Sequence, residues 1–355
     1  MPILSYEKEV ALAKILFQGC GVPEEGARYC GEGIAHSDFI GRYSHGLSRL
    51  TFFLKLFEVG SLNKNPVYKI VKEDSNTINV DCDGGPGLLS ARFLYEKVLE
   101  KAKKGGIAMG TAFHGANIGC ASFYGLQAVK ENMICVMVSN SYLTMAPFGG
   151  ADRLIGTNPI MVAVPAGEED PICLDIATSE VAMGKILAYA REGKELAPGW
   201  AKDKDGNPTT KADEAFTVSP FGRHKGYGLA VIVDIFSAVL SGAAYCQDLG
   251  NHEKLEAEHL GFCFLMVDPS RFMDLDVFKA RVDDYSRRIK NSRKAPGSDA
   301  IYLPGGIEAM TLKKTMETGY EISDALAAEL TAAAIKLGII PEGSDFDALL
   351  NAAEG

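Results

Sequence analysis

The stretch Asn79-Val80-Asp81-Cys82-Asp83-Gly84-Gly85-Pro86-Gly87-Leu88-Leu89-Ser90 reads as a strand, a glycine-rich turn and the start of a helix. That is the order in which a dinucleotide-binding βαβ unit opens, so its reading decides the fold. The match fails in detail. The fingerprint needs a third glycine where helix and strand pack, and an acidic residue about 20 positions further on. Here Gly85-x-Gly87-x-x-Ser90 ends in serine, and no acid closes a second strand at that distance. The segment is expected to be a plain turn.

Outward from it the elements alternate. Residues 6–34 read as two helices broken at Gly19-Cys20-Gly21-Val22-Pro23, and residues 46–60 carry Leu47, Leu50, Leu54 and Phe57 at helical spacing before Gly60. Tyr68–Val71 and Thr77–Val80 read as strands around a Glu73–Asn76 turn. A helix from Leu88 to Lys104 leads into the strand Ile107–Thr111, and residues 121–131 read as a helix. Met133–Ser139, Pro159–Val164, Ile172–Ile176 and Phe262–Val267 are further strands. Residues 226–242 form a long apolar helix, and helices dominate again from about 275. The polar stretch 192–215 is expected to be a long loop on the surface or over a site. The whole is expected to be a mixed α/β sheet with helical N- and C-terminal segments packed together.

Composition narrows the function. A formal net charge of -10 argues against nucleic-acid and anionic-membrane partners, which are gripped through excess Lys and Arg. The N-terminus lacks the features of a secretory signal, and no apolar run approaches the ~20 residues that span a bilayer. The eight cysteines stand singly, without CxxC spacing, and read as buried reduced thiols of a cytoplasmic protein. No His/Cys/Glu cluster has zinc-ligand spacing.

The segment richest in chemistry is Gly41-Arg42-Tyr43-Ser44-His45-Gly46-Leu47-Ser48-Arg49-Leu50. His45 stands at a loop-to-helix junction, and Arg49 follows four residues later on the same face. An imidazole that can give a proton beside a guanidinium that can hold a carboxylate at two points is what reduction of a 2-oxo acid requires. Spacing alone equally fits a surface histidine beside a helix arginine. Several glycine-bearing loops at strand ends accompany it: Gly156-Thr157-Asn158-Pro159, Asp175-Ile176-Ala177-Thr178-Ser179 and His224-Lys225-Gly226-Tyr227-Gly228. Such positions are where α/β proteins place ligands and phosphates.

Taken in order, Tyr43-Ser44-His45-Gly46…Arg49, Ile155–Pro159, Asp175–Ser179…Gly184-Lys185, Gly199-Trp200-Ala201…Asp205–Thr210 and His224–Leu229 resemble the malate/L-lactate dehydrogenase family. The resemblance runs from about residue 5 to about 320. It implies a non-Rossmann fold, a homodimer, and NAD or NADP as cofactor. It implies a substrate and dimerisation domain of residues 1–118 plus 288–355, and a cofactor domain of residues 119–287. It matches His45 to the proton donor and Arg49 to the substrate-carboxylate contact. Ser141, Asp175, Ile176, Ala177, Thr178, Ser179, Lys225, Gly226 and the Pro304-Gly305-Gly306 turn match cofactor contacts.

Two positions depart from the family pattern. Many relatives carry a second histidine where this chain has Asn117, with His114 three residues earlier. Gly306 stands where glutamate is common. The expected reaction is therefore hydride transfer between nicotinamide and a small anionic 2-oxo or 2-hydroxy acid. His45 would titrate near neutrality and Asn117 would polarise the carbonyl. A cyclic imine substrate and a weakened cofactor-binding homologue are the alternatives.

Overall fold

The computed structural model describes residues 1–354. Its centre is a seven-stranded sheet. In spatial order the strands are Lys69–Glu73, Thr77–Asp81, Ile107–Gly115, Leu260–Val267, Ile134–Ser139, Ile160–Val164 and Ile172–Ile176. Only Thr77–Asp81 and Ile107–Gly115 run parallel, and every other neighbouring pair is antiparallel. Residues 79–90 do sit in that one parallel strand–helix–strand unit, but a Rossmann sheet is built from parallel strands almost throughout, so a sheet with a single parallel pair is non-Rossmann.

The glycines of that stretch have a packing role. A Cβ on Gly87 would stand 2.1 Å from the carbonyl oxygen of Asn117 and 2.4 Å from that of Ala116. Gly87 thus lets the helix Gly87–Gly105 start directly against the 116–117 backbone, at the edge of the site described below. That helix and Ser122–Lys130 cover one face of the sheet. The helix His224–Asp234, continued by a π turn over Ile235–Val239, covers the other. Gly261 permits this second contact, since a Cβ there would lie 1.9 Å from the Ser237 carbonyl oxygen.

The chain ends come together as expected. Ile3–Leu4 pairs antiparallel with Tyr320–Glu321, and Lys8 meets Glu354 at 3.0 Å. All eight cysteines are unpaired and six are buried. One hydrophobic core runs from Leu4 to Leu349 and includes both Ala112 and Met137, on either side of position 118. The core is continuous across position 118 because the strand Leu260–Val267 pairs with both Ile107–Gly115 and Ile134–Ser139.

The expected loop at 192–215 is corrected. Ala201–Lys202 and Pro208–Thr209 are strands of a small five-stranded sheet with Thr217–Val218, Leu143–Met145 and Ile155–Gly156. Strands of two residues carry no readable alternation, and the Asp203–Asn207 turn between them looks like loop. A second apolar cluster around Met145, Ile186, Ala201, Val218 and Ala230 supports this sheet.

Candidate active site

The turn that carries His45 is held from behind. Tyr43–His45 forms a single 3-10 turn, Gly46 follows, and the helix Leu47–Glu58 begins. The helix has no side-chain cap at Gly46. Its first N–H is satisfied by Asp38, whose carboxylate accepts from Leu47 at 2.7 Å. A Cβ on Gly46 would lie 2.0 Å from the Asp38 carboxyl group, so only glycine fits. Asp38 is itself buried beside Glu9, and desolvation raises the proton affinity of both carboxyls.

In front of this turn lies a cavity of about 270 Å³. His45, Arg49, Asn117, Ser141, Asp175 and Ala177 all line it. His45 Nδ1 is 2.9 Å from the Ser44 hydroxyl, and Nε2 has no partner among the described residues. Desolvation, then the positive charge of Arg49, push the imidazole down to about 4. Neutral His45 at pH 7 corrects the expectation of a group titrating near neutrality.

Arg49 lies over the Phe52 ring, with Cζ 4.3 Å from the centroid. Its Nε and Nη2 are buried without a hydrogen-bond acceptor among the described residues. The nearest anion is Glu258, whose Oε1 is 3.9 Å from Nη2, beyond hydrogen-bond reach. Asn117 is fixed twice. Its N–H donates to Glu258 Oε2 at 2.8 Å, and its Oδ1 accepts from Gly119 N–H at 3.1 Å. That second bond leaves the amide nitrogen of the side chain as a spare donor.

The other sequence-derived positions divide into groups. Asp175 accepts from the Ser122 N–H at 2.7 Å and from the Cys120 thiol at 3.3 Å, which ties the strand Ile172–Ile176 to residues 120–122. Ile176 ends that strand opposite Ile160. Ser141 N–H donates to Asn158 Oδ1 at 3.1 Å, while Asn158 Nδ2 reaches the Ala230 carbonyl at 3.0 Å. Thr178 and Ser179 are buried and bond to backbone carbonyls. Gly226 packs on Thr178, where a Cβ would lie 2.7 Å from the carbonyl oxygen, and Lys225 beside it is exposed. The Pro304–Gly306 turn docks on Cys173, with Pro304 O accepting from Cys173 N at 2.9 Å. There a second cavity, of about 200 Å³, shares Arg42 and Asp175 with the first. His114 joins neither cavity. It is about half exposed and its Nδ1 lies 3.0 Å from Asp81.

The family model described as malate/L-lactate dehydrogenase matches residues 4–331. The chain belongs to that family. The L-sulfolactate dehydrogenase of Methanocaldococcus jannaschii is 34% identical over 339 residues, covering 95% of this chain and 98% of that protein. The solved sulfolactate dehydrogenase structure from that organism superposes with a TM-score of 0.88 at 35% identity, over 95% of this chain and 98% of that one. The malate dehydrogenase of Pyrococcus horikoshii is 33% identical over 329 residues, covering 90% and 91%. Ureidoglycolate dehydrogenase (NAD(+)) of Escherichia coli K12 is 27% identical over 306 residues, covering 86% and 88%. The malate/L-lactate dehydrogenase resemblance and fold read from the sequence are thereby borne out, and the protein is an oxidoreductase.

The residues of this malate/L-lactate dehydrogenase relative fit a phosphate-bearing nicotinamide cofactor. The helix Met183–Glu192 opens at the cavity with no side-chain cap, and nothing lies within 4 Å of a Cβ built on Gly184. Bare N–H groups beside an open glycine accommodate an anion. Among the described residues no group of three or more His, Cys, Asp or Glu could hold a metal, and no helix is long and apolar enough to cross a membrane.

Sequence reading missed Arg42, Tyr142, Cys120, His252 and Glu258. Arg42 bridges the two cavities, pairing with Glu308 at 2.6 Å and reaching the Asp175 carbonyl at 3.4 Å. It lies inside the quoted 41–50 motif, so its charge was the available signal. Glu258 and His252 lie in a polar segment whose sequence carries no such mark.

Proposed function

We propose that this protein transfers hydride between NAD or NADP and a small 2-oxo or 2-hydroxy acid. The observation that carries the reading is the pairing, in one cavity, of unpartnered His45 Nε2 with the unpartnered buried donors of Arg49. An arginine fork without an acceptor suits a carboxylate, and an imidazole beside it suits the oxygen on the neighbouring carbon.

When bound, the nicotinamide supplies the hydride in reduction and accepts it in oxidation. Arg49 holds the substrate carboxylate, and the Asn117 side-chain amide donates to the carbonyl oxygen. As C2 gains hydride, its oxygen takes a proton from His45, which is left neutral. In oxidation, neutral His45 takes the hydroxyl proton as hydride leaves C2. A carboxylate on Arg49 offsets the charge that helps hold His45 down, so substrate binding raises the imidazole towards its ordinary range. Ser141, the Asp175–Ser179 turn, Lys225-Gly226 and Pro304–Gly306 are proposed to hold the cofactor. A screen of NADH and NADPH against pyruvate, oxaloacetate, sulfopyruvate and a cyclic imine, followed by nicotinamide absorbance, tests this. Oxidation of cofactor by at least one oxo acid is expected. Turnover of the imine alone would replace the oxo-acid reading, and cofactor binding without any turnover would make the protein an inactive homologue.

A homodimer is part of the same proposal, supported by an inverted helix. Residues 224–240 turn Ala230, Val233, Ser237 and Ala238 inward, and leave Leu229, Ile232, Ile235, Phe236, Val239 and Leu240 exposed. Large side chains facing outward on one stripe mark an interface. Sedimentation should give twice the chain mass, with Ile235→Asp shifting it to the monomer. A monomeric parent protein would remove the proposal.

A further inference from the structure

Three polar side chains converge behind the cavity wall, and each has a buried atom without a hydrogen-bond partner among the described residues: Arg49 Nη2, His252 Nδ1 and Glu258 Oε1. Glu258 Oε1 lies between the other two, 3.9 Å from Arg49 Nη2 and 3.8 Å from His252 Nδ1. Its other oxygen is already committed to the Asn117 N–H at 2.8 Å. The His252 ring is clamped between Tyr142, 4.2 Å away and tilted by 10°, and Phe52, 4.2 Å away and tilted by 29°. Phe52 carries the Arg49 guanidinium on its ring, and Tyr142 lines the cavity.

One carboxylate oxygen thus serves two possible partners. Buried, it cannot stay without a counter-charge, and the attraction of His252 and Arg49 holds Glu258 below the usual carboxylate range despite desolvation. We propose that His252 and Glu258 are positioning residues that set how freely Arg49 can take a substrate carboxylate. The His252 ring holds the Glu258 carboxylate away from Arg49 and frees the guanidinium fork. Without that contact the carboxylate of Glu258 turns to Arg49 and competes with that of the substrate.

The other charged groups near His252 do not duplicate this. Glu253 on the same turn faces Arg153 at 3.4 Å, Lys254 follows it, and Tyr142 and Phe52 close the two ring faces. The inference rests on Arg49 being the carboxylate contact, and it goes beyond that reading by assigning Arg49 a competitor and a residue that restrains it.

Affinity of the enzyme–cofactor complex for oxamate, a non-reacting stand-in for a 2-oxo acid, tests it through nicotinamide fluorescence. His252→Phe keeps the aromatic stack but loses the ring nitrogen that faces Glu258, so at a fixed pH Kd should rise roughly five- to tenfold. Glu258→Gln keeps an acceptor for Asn117 N–H and removes the competing charge, so Kd should fall by a similar factor. Opposite shifts from the two variants are a signature that loss of packing does not produce. Shifts in the same direction, or parent Kd values in both variants, overturn the proposal. No oxamate binding to the parent, or parent-like affinity in Arg49→Lys, instead overturns the reading of Arg49 on which it rests.

Discussion

Replacing His45 with alanine should lower kcat for oxo-acid reduction by roughly 10²–10⁴-fold, with cofactor affinity almost unchanged. The ring lines the cavity, and its nitrogen opposite the Ser44 contact has no partner among the described residues. The helix that follows is held by Asp38 through Leu47, so removing the imidazole leaves the backbone scaffold intact. The pH profile gives the sign. Reduction uses protonated His45, so its rate falls as pH rises through the pKa of the substrate complex. Oxidation uses neutral His45, which the free enzyme already holds at neutral pH, because desolvation and Arg49 push the group down to about 4. For a 2-hydroxy acid, the His45 contribution to kcat/KM should therefore be level around neutrality and fall only in acid. In His45→Ala both dependences should vanish with the activity. Near-parent kcat in that variant would pass protonation to solvent, since His114 joins neither cavity and pairs with Asp81.

Much of this was legible because the signals are local. Helical periodicity placed Leu47–Glu58 within a residue or two of its bounds, and a missing glycine and acid excluded the dinucleotide fingerprint at 79–90. The 41–50 motif, Ser141 and the 175–179 turn all reach the cavity, through His45, Arg49, Ser141, Asp175 and Ala177. What was not legible depends on pairings distant in sequence. Glu258 meets the Asn117 backbone 141 positions away, and no periodicity marks an acid in an irregular segment. The charge state of His45 is equally hidden, since it follows from desolvation and from Arg49 once the cavity exists. A mostly apolar helix such as 226–242 looks buried on most sides. Only the fold tells that its small residues face the sheet and its large ones face outward.

Arg49→Lys should raise KM for a 2-oxo acid roughly 10- to 100-fold, the loss of one charged hydrogen bond worth about 1.5–3 kcal/mol, while kcat falls much less. Lysine keeps a positive charge opposite Glu258, which is almost fully buried, so the fold is not left with an uncompensated anion. It loses the planar fork, whose Nε and Nη2 have no protein acceptor and so are available to a ligand. Arg49→Met separates the two roles. It removes the counter-charge as well, and an unpaired buried carboxylate typically costs about 3–5 kcal/mol, so this variant should lose thermal stability as well as substrate affinity. A carboxylate anchor predicts that KM rises in both variants and that Tm falls mainly in the second. If Arg49 were only the counter-ion of Glu258, Arg49→Lys would leave KM at the parent value. Only stability would then respond, and only in Arg49→Met. The split between KM and Tm across these two substitutions therefore decides whether the orphaned donors of Arg49 serve the substrate or the fold.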